Sequence, residues 1–218
     1  MIRLYGNATG SLIFSHESMG ELYYTFELET KRISGVSDIA NIVVKEEFAS
    51  ESGLFSLREG DDIGIMGNLR SYNNKSGEGA KLVITVYAKK IYSAGESENL
   101  TLLTGIVCRE PILRTTPLGR DICDMILAVS RRCGKSDYLP CVLWGSMAKM
   151  FSTARVGEEI RVSGRLQSRS YIKRTETDEV EKTAFEVSVF DAEYTGEQDS
   201  VCGGAARLGA VGQLEIRN

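Results

Sequence analysis

An internal repeat constrains this chain more than any other feature. Gly20, Phe26, Leu28, Arg32, Gly35, Ser37, Asp38 and Val43 recur at a constant offset of 99 as Gly119, Met125, Leu127, Arg131, Gly134, Ser136, Asp137 and Val142. Gly60, Ile63, Gly67 and Leu69 recur at an offset of 97 as Gly157, Ile160, Gly164 and Leu166, so one connection is two residues shorter in the second copy. A chain of 218 residues can hold one large core or two small ones, and the duplication decides for two.

Each unit reads as β-rich. Tyr24, Phe26 and Leu28 alternate with polar neighbours, and Met125, Leu127 and Val129 do so less strictly, at the period that buries one face of a strand. Leu82, Ile84 and Val86 predict the closing strand of the first unit, and Phe185, Val187 and Val189 that of the second. Between the third and fourth strands of the second unit, Met147, Met150 and Phe151 fall at helical spacing and predict a short helix plugging the barrel bottom. Gly67 and Gly164 stand inside predicted strands, where a missing side chain lets the chain bend sharply.

About five strands and one helix per unit describe the OB-fold, a partly open Greek-key barrel whose face and loops bind oligonucleotides. The expected fold class is therefore all-β with short helices, as two tandem OB-fold barrels. Residues 1–95 are expected to form the first barrel, 100–195 the second and 196–218 a tail, with the small, polar stretch from Ser93 to Asn99 as the boundary.

Charge and composition exclude several functions. The net charge of −4 argues against nucleic acid, but the stretch from Arg131 to Arg174 holds 10 basic and 3 acidic residues, a local excess that attracts phosphate. The five cysteines form no C-x-x-C pair and are read as reduced thiols; His16 is the single histidine. No metal, cofactor or catalytic triad is expected from such material. No apolar run is long enough to span a bilayer and no signal region opens the chain, so a cytoplasmic, nucleoid-associated protein is expected.

Four blocks of the second unit carry a family resemblance. T-G-I-V-C-R-E-P-I-L-R-T-T-P-L-G runs from Thr104 to Gly119, and M-I-L-A-V-S-R-R from Met125 to Arg132. D-Y-L-P-C-V-L-W-G-S-M-A-K follows from Asp137 to Lys149, and G-R-L-Q-S-R-S-Y from Gly164 to Tyr171. Together these resemble the bacterial single-stranded DNA-binding protein family over most of one barrel. The resemblance implies stacking of DNA bases on Trp144, Tyr138 and Tyr171, with Cys133 at the position of a further family aromatic. It also implies a homodimer presenting four barrels; replication or repair proteins are the further partners expected, in a role in DNA replication, recombination or repair. The family's acidic tail tip ending in an aromatic has no counterpart in Gln213-Leu214-Glu215-Ile216-Arg217-Asn218.

Each candidate residue has a structural alternative. Trp144 ends an apolar strand and suits either burial or stacking; Cys141 and Leu143 are expected on one face, Val142 and Trp144 on the other. Tyr138 suits stacking or edge packing. Tyr171 stands among Arg165, Arg169, Lys173 and Arg174, an order that interleaves phosphate contacts with a base platform, or makes a solvated hairpin balanced by Glu176, Asp178, Glu179 and Glu181 on its other arm. Arg131, Arg132 and Lys135 lie in the turn after the second strand, beside the binding face or serving solubility; Arg114 contacts phosphate or is a plain turn arginine. In the first unit Lys45 replaces Trp144, Ile39 replaces Tyr138, and Tyr72 is set against Tyr171, so this barrel is expected to bind weakly or to serve assembly. The expected function is non-catalytic, largely sequence-independent binding of single-stranded DNA. The alternative is a primosome-like OB-fold assembly factor that bridges proteins at DNA.

Overall fold

The computed structural model describes residues 1–74, 81–174 and 179–195, with residues 170–174 and 179–182 described in backbone only. The first unit comprises β1 (Ile2–Ala8), β2 (Ile13–Ser18), β3 (Glu21–Lys31), β4 (Ser37–Lys45), α1 (Glu46–Glu51), β5 (Asp62–Asn73) and β6 (Leu82–Tyr92). The second repeats it as β7 (Glu98–Val107), β8 (Ile112–Thr115), β9 (Asp121–Ser130), β10 (Ser136–Trp144), α2 (Gly145–Phe151), β11 (Glu159–Arg174) and β12 (Glu179–Tyr194). Each unit has six strands rather than five, because β2 and β8 form an outer hairpin that pairs only with β3 and β9.

Closure is the same in both. β1 returns to β3 at Asn7 and Ala8, and β4 meets β6 in parallel at Ile42 and Val86. In the second unit β7 returns to β9 at Ile106 and Val107, and β10 meets β12 in parallel at Cys141 and Val187. These are two tandem OB barrels. Alternation fills each one: Leu4, Phe26, Leu28, Ile42 and Val86 are buried in the first, and Leu103, Met125, Leu127, Cys141 and Val187 in the second.

α2 lies where the sequence places it, but its buried arc differs. Ala148 and Phe151 are buried and Met147 packs against the core, whereas Met150 is 61% exposed. On a helix of 3.6 residues per turn, positions 147, 148 and 151 share one side and 150 falls off it. Phe151 stacks on Tyr194, rings 4.9 Å apart, and closes the barrel bottom.

Gly67 and Gly164 sit at β-bulges, between Met66 and Gly67 and between Ser163 and Gly164. A Cβ would lie 2.2 Å from the Tyr87 carbonyl oxygen at Gly67, and 2.6 Å from that of Ser188 at Gly164. The neighbouring strand therefore crosses close only because the side chain is absent.

The barrels join through their first strands. β1 and β7 pair antiparallel with Ile2 opposite Thr101, two residues separated by the repeat offset, so a local two-fold relates the barrels and merges them into one 12-stranded sheet. Glu98 and Asn99, expected in the spacer, belong to β7, and the Asn99 side chain exchanges two hydrogen bonds with the Leu166 backbone at 2.7 and 2.9 Å.

Two aspartates extend this symmetry. The Asp38 carboxylate accepts from the Ser168 backbone N–H at 3.1 Å, and Asp137 accepts from the Ser71 N–H at 2.6 Å. Asp38 is paired with Arg32, while Asp137 is paired with Arg131 and also with Arg70 of the opposite barrel at 3.1 Å. A buried carboxylate is tolerable only when its lone pairs are met this fully.

Candidate nucleic-acid interface

The outward face of the second barrel is built on β10. Tyr138, Pro140 and Trp144 stand outward while Leu139, Cys141 and Leu143 are buried in the core; Val142 shares the outward phase but is itself buried. Trp144 is 39% exposed and Tyr138 52%, so neither lies under the sheet. The Trp144 indole Nε1–H donates to Ser188 Oγ on β12 at 3.2 Å, which fixes the ring across the strand. Ser188 pairs in turn with Arg165 on β11 and with Val142 on β10, so the Trp144 ring reaches it from the next outward position along its strand. The Arg165 Nε is buried and has no acceptor among the described residues.

Trp144 also lines an open groove of about 680 Å³ with Arg120 and Lys149, whose ammonium reaches Asp121 at 3.0 Å. Arg120 and Lys149 were not singled out in the sequence; their signal was position, flanking the tryptophan at the adjacent turn and helix. Lys149 hydrogen-bonds Asp121 and, with help from Thr115, holds its carboxyl below the ordinary carboxylate value.

The other candidates do not form one cluster. Tyr138 and Trp144 are six residues apart on a strand, hence about 20 Å. Tyr138 stands at the seam between barrels, its N–H donated to Ser71 Oγ at 2.7 Å. Arg131 is spent on Asp137 and the Ser71 carbonyl, and Arg114 on Asp124 through Nε at 2.5 Å and a second nitrogen at 3.2 Å. In both cases a protein carboxylate sits within bidentate reach and takes the guanidinium expected to meet phosphate. Arg132 and Lys135 are exposed in the turn between β9 and β10.

Arg169 is exposed and lies 3.9 Å from Glu186, in a groove that also holds Arg109, Arg114 and Asp124. The strand carrying Tyr171, Lys173 and Arg174 forms a hairpin arm with Tyr171 opposite Lys182 and Arg174 opposite Glu179; their side chains lie outside the described residues. Glu179 and Glu181 are on the opposing arm, and Glu176 and Asp178 are outside the described residues, as is the expected tail with Cys202.

In the first barrel Lys45, in the place of Trp144, pairs with Glu21 at 2.8 Å, and Ile39 in the place of Tyr138 is exposed. Tyr72 is not the counterpart of Tyr171. The two bulges keep the offset of 97 along β5 and β11, which sets Tyr72 against Arg169. Sequence reasoning missed the aromatic groups this barrel does carry: Tyr23 on β3 and Tyr87 on β6 face outward on the strands flanking β4, with rings 6.4 Å apart. His16 stacks on Tyr23 at 4.8 Å and 8°. The available signal was phase, since Tyr23 and Tyr87 occupy the polar positions beside Phe26, Leu28, Ile84 and Val86.

Cys108, Cys123, Cys133 and Cys141 are unpaired, and burial pushes the Cys141 thiol up to about 12. No group of three or more metal-ligating side chains occurs among the described residues, nor any helix long and apolar enough to cross a membrane.

Topology and outward face define a tandem OB-fold protein. Its fold matches the wild-type single-stranded DNA binding protein from Thermus aquaticus with a TM-score of 0.71 at 23% identity, over 93% of this chain and 95% of that one. Residues 98–194 match the single-strand binding protein family. Single-stranded DNA-binding protein B of Bacillus subtilis is 34% identical over 80 residues, covering 34% of this chain and 71% of that protein. The single-stranded DNA-binding protein of Clostridium tetani is 39% identical over 82 residues, and this chain spans 55% of its length. The chain belongs to the single-strand binding protein family.

Proposed function

We propose that this protein binds single-stranded DNA without catalysis and with little sequence preference, through base stacking on Trp144 and phosphate contacts from neighbouring cations. The carrying observation is that the chain's one tryptophan stands outward on the sheet face, braced by Ser188 and flanked by Arg120, Lys149 and Arg165. Unpaired bases have free π-faces to stack on such a ring, and paired bases do not. The family membership and the names of the relatives support the same reading.

Tyr138 and the Tyr171, Lys173 and Arg174 arm are assigned to the same strand path, with Arg132, Lys135 and Arg169 as phosphate contacts. Arg131 and Arg114 act first as structural partners of Asp137 and Asp124. A homodimer is part of this proposal: Leu102 and Ile106 on β7 and Phe190 on β12 are exposed apolar side chains that a second copy would cover. Light scattering on the purified protein tests it, with a mass of two chains expected.

The test of the main reading is titration of Trp144 fluorescence with oligo-thymidylate. Quenching is expected, and Trp144→Ala, followed by anisotropy of a labelled oligomer because it removes the chain's one tryptophan, should weaken binding by about 1–3 kcal/mol. An unchanged affinity in that variant rejects the stacking assignment.

A further inference from the structure

The first barrel carries a groove of its own. One stretch of about 770 Å³ runs over β3, β4, β5 and β6, lined by Tyr23, Tyr72 and Tyr87. A second, of about 630 Å³, continues from it across the seam to the Arg131 to Cys133 turn of the second barrel. The two share Tyr23, Arg70, Tyr87 and Arg131, so they form one path. No carboxylate lines either stretch, although the whole chain is acidic. Arg70 and Arg131 share the fully buried Asp137, and Lys89 and Arg132 add two exposed cations. The groove on the second barrel, by contrast, has Arg114 and Arg169 matched by Asp124 and Glu186.

Tyrosine rings facing outward along a groove rich in cations are the chemistry of a single-strand platform. Their placement has a register logic. On the second barrel the ring stands on the middle strand, with Ile122 and Ser188 on its two neighbours. On the first barrel the middle strand offers Lys45, while Tyr23 occupies the place of Ile122 and Tyr87 that of Ser188. The aromatic surface has moved one strand to either side.

We propose that the first barrel is a second single-strand-binding unit, in which Tyr23 and Tyr87 stack bases, Lys89 and Arg132 hold phosphate, and one strand crosses the seam between barrels. This rests on the reading of the protein as a single-stranded DNA binder and adds a site to it. The consequence is length dependence: an oligomer longer than one barrel's reach gains affinity from the second.

The experiment uses the full chain, with thymidylate oligomers of about 10 and about 30 nucleotides, since one OB barrel occupies ~4–16. Trp144 fluorescence reports on the second barrel, and anisotropy of end-labelled oligomer on total binding. In Tyr87→Ala/Lys89→Glu, binding of the long oligomer should fall about tenfold or more while the short one quenches Trp144 as before. Tyr87→Phe should restore the stacking part. Lys89→Glu alone, at an exposed side chain, carries the test if the double variant melts early, and should weaken the long oligomer and flatten its salt dependence. If the long oligomer binds the variants as it binds the unaltered protein, the second site is overturned and the Trp144 reading stands. If the unaltered protein binds neither length, both readings fall.

Discussion

The two barrels share a topology, a pair of bulges and a reciprocal aspartate anchor, yet their outward faces diverge. The second places one large ring on the middle strand, braced by a serine, and neutralises much of its arginine with Asp124 and Glu186. The first spreads tyrosines over the flanking strands and leaves its groove without carboxylates. Cores and seams tolerate little change because they must close the same barrel, while a platform needs only a ring facing solvent beside a cation. Any of three adjacent strands can supply it, and the two copies have used different ones.

The largest expected effect breaks the comparison at the seam. Asp137 holds two guanidiniums and a backbone N–H with no exposure, so Asp137→Ala should cost about 3–5 kcal/mol in urea denaturation. Asp38, with one arginine and one N–H, should cost clearly less when replaced. Equal losses would mean the second arginine adds nothing. Next come the bulges: Gly67→Ala and Gly164→Ala should each lose about 1–3 kcal/mol, the former more because its Cβ meets the facing carbonyl at the shorter distance. A reversed order in thermal melts would locate the tighter crossing in the second barrel.

A subtler difference concerns phosphate. Arg165 is half-buried beside the tryptophan brace with no carboxylate partner among the described residues, so Arg165→Ala should lower the slope of log K against log salt by about 1. Arg114→Ala, already occupied by Asp124, should change that slope less. The smallest effect is electrostatic. Asp121 should titrate below 3.8 by NMR and move up toward it in Lys149→Ala. Its depressed value stabilises the folded chain above the ordinary carboxylate range and is lost as pH falls through the folded value; exposure keeps the effect small.

Much of this was legible in the residues. The offsets of 99 and 97 tied β3, β4 and β5 to β9, β10 and β11, because turn glycines and inward apolar positions recur wherever a barrel must close, but they did not reveal the outer strands β2 and β8. Trp144 was legible as a candidate ring, but the sequence left burial and stacking open, and its 39% exposure came from the structure. Tyr23 and Tyr87 were missed because comparison at a fixed offset asks whether the same strand keeps its ring, and here the ring changes strands. Arg131 and Arg114 were read as free cations because their partners, though near in sequence, meet them only across a turn or a strand pair.

By itself the sequence determined the duplication, the β-rich unit and the bulge glycines, all of which follow from local periodicity and backbone allowance. Only the tertiary structure decided which cations are spent on carboxylates, how the barrels join through β1 and β7, and that tyrosines from separate strands share one groove. Those outcomes depend on which strands lie side by side, and pairing across 60 to 130 residues leaves no periodic trace in the chain.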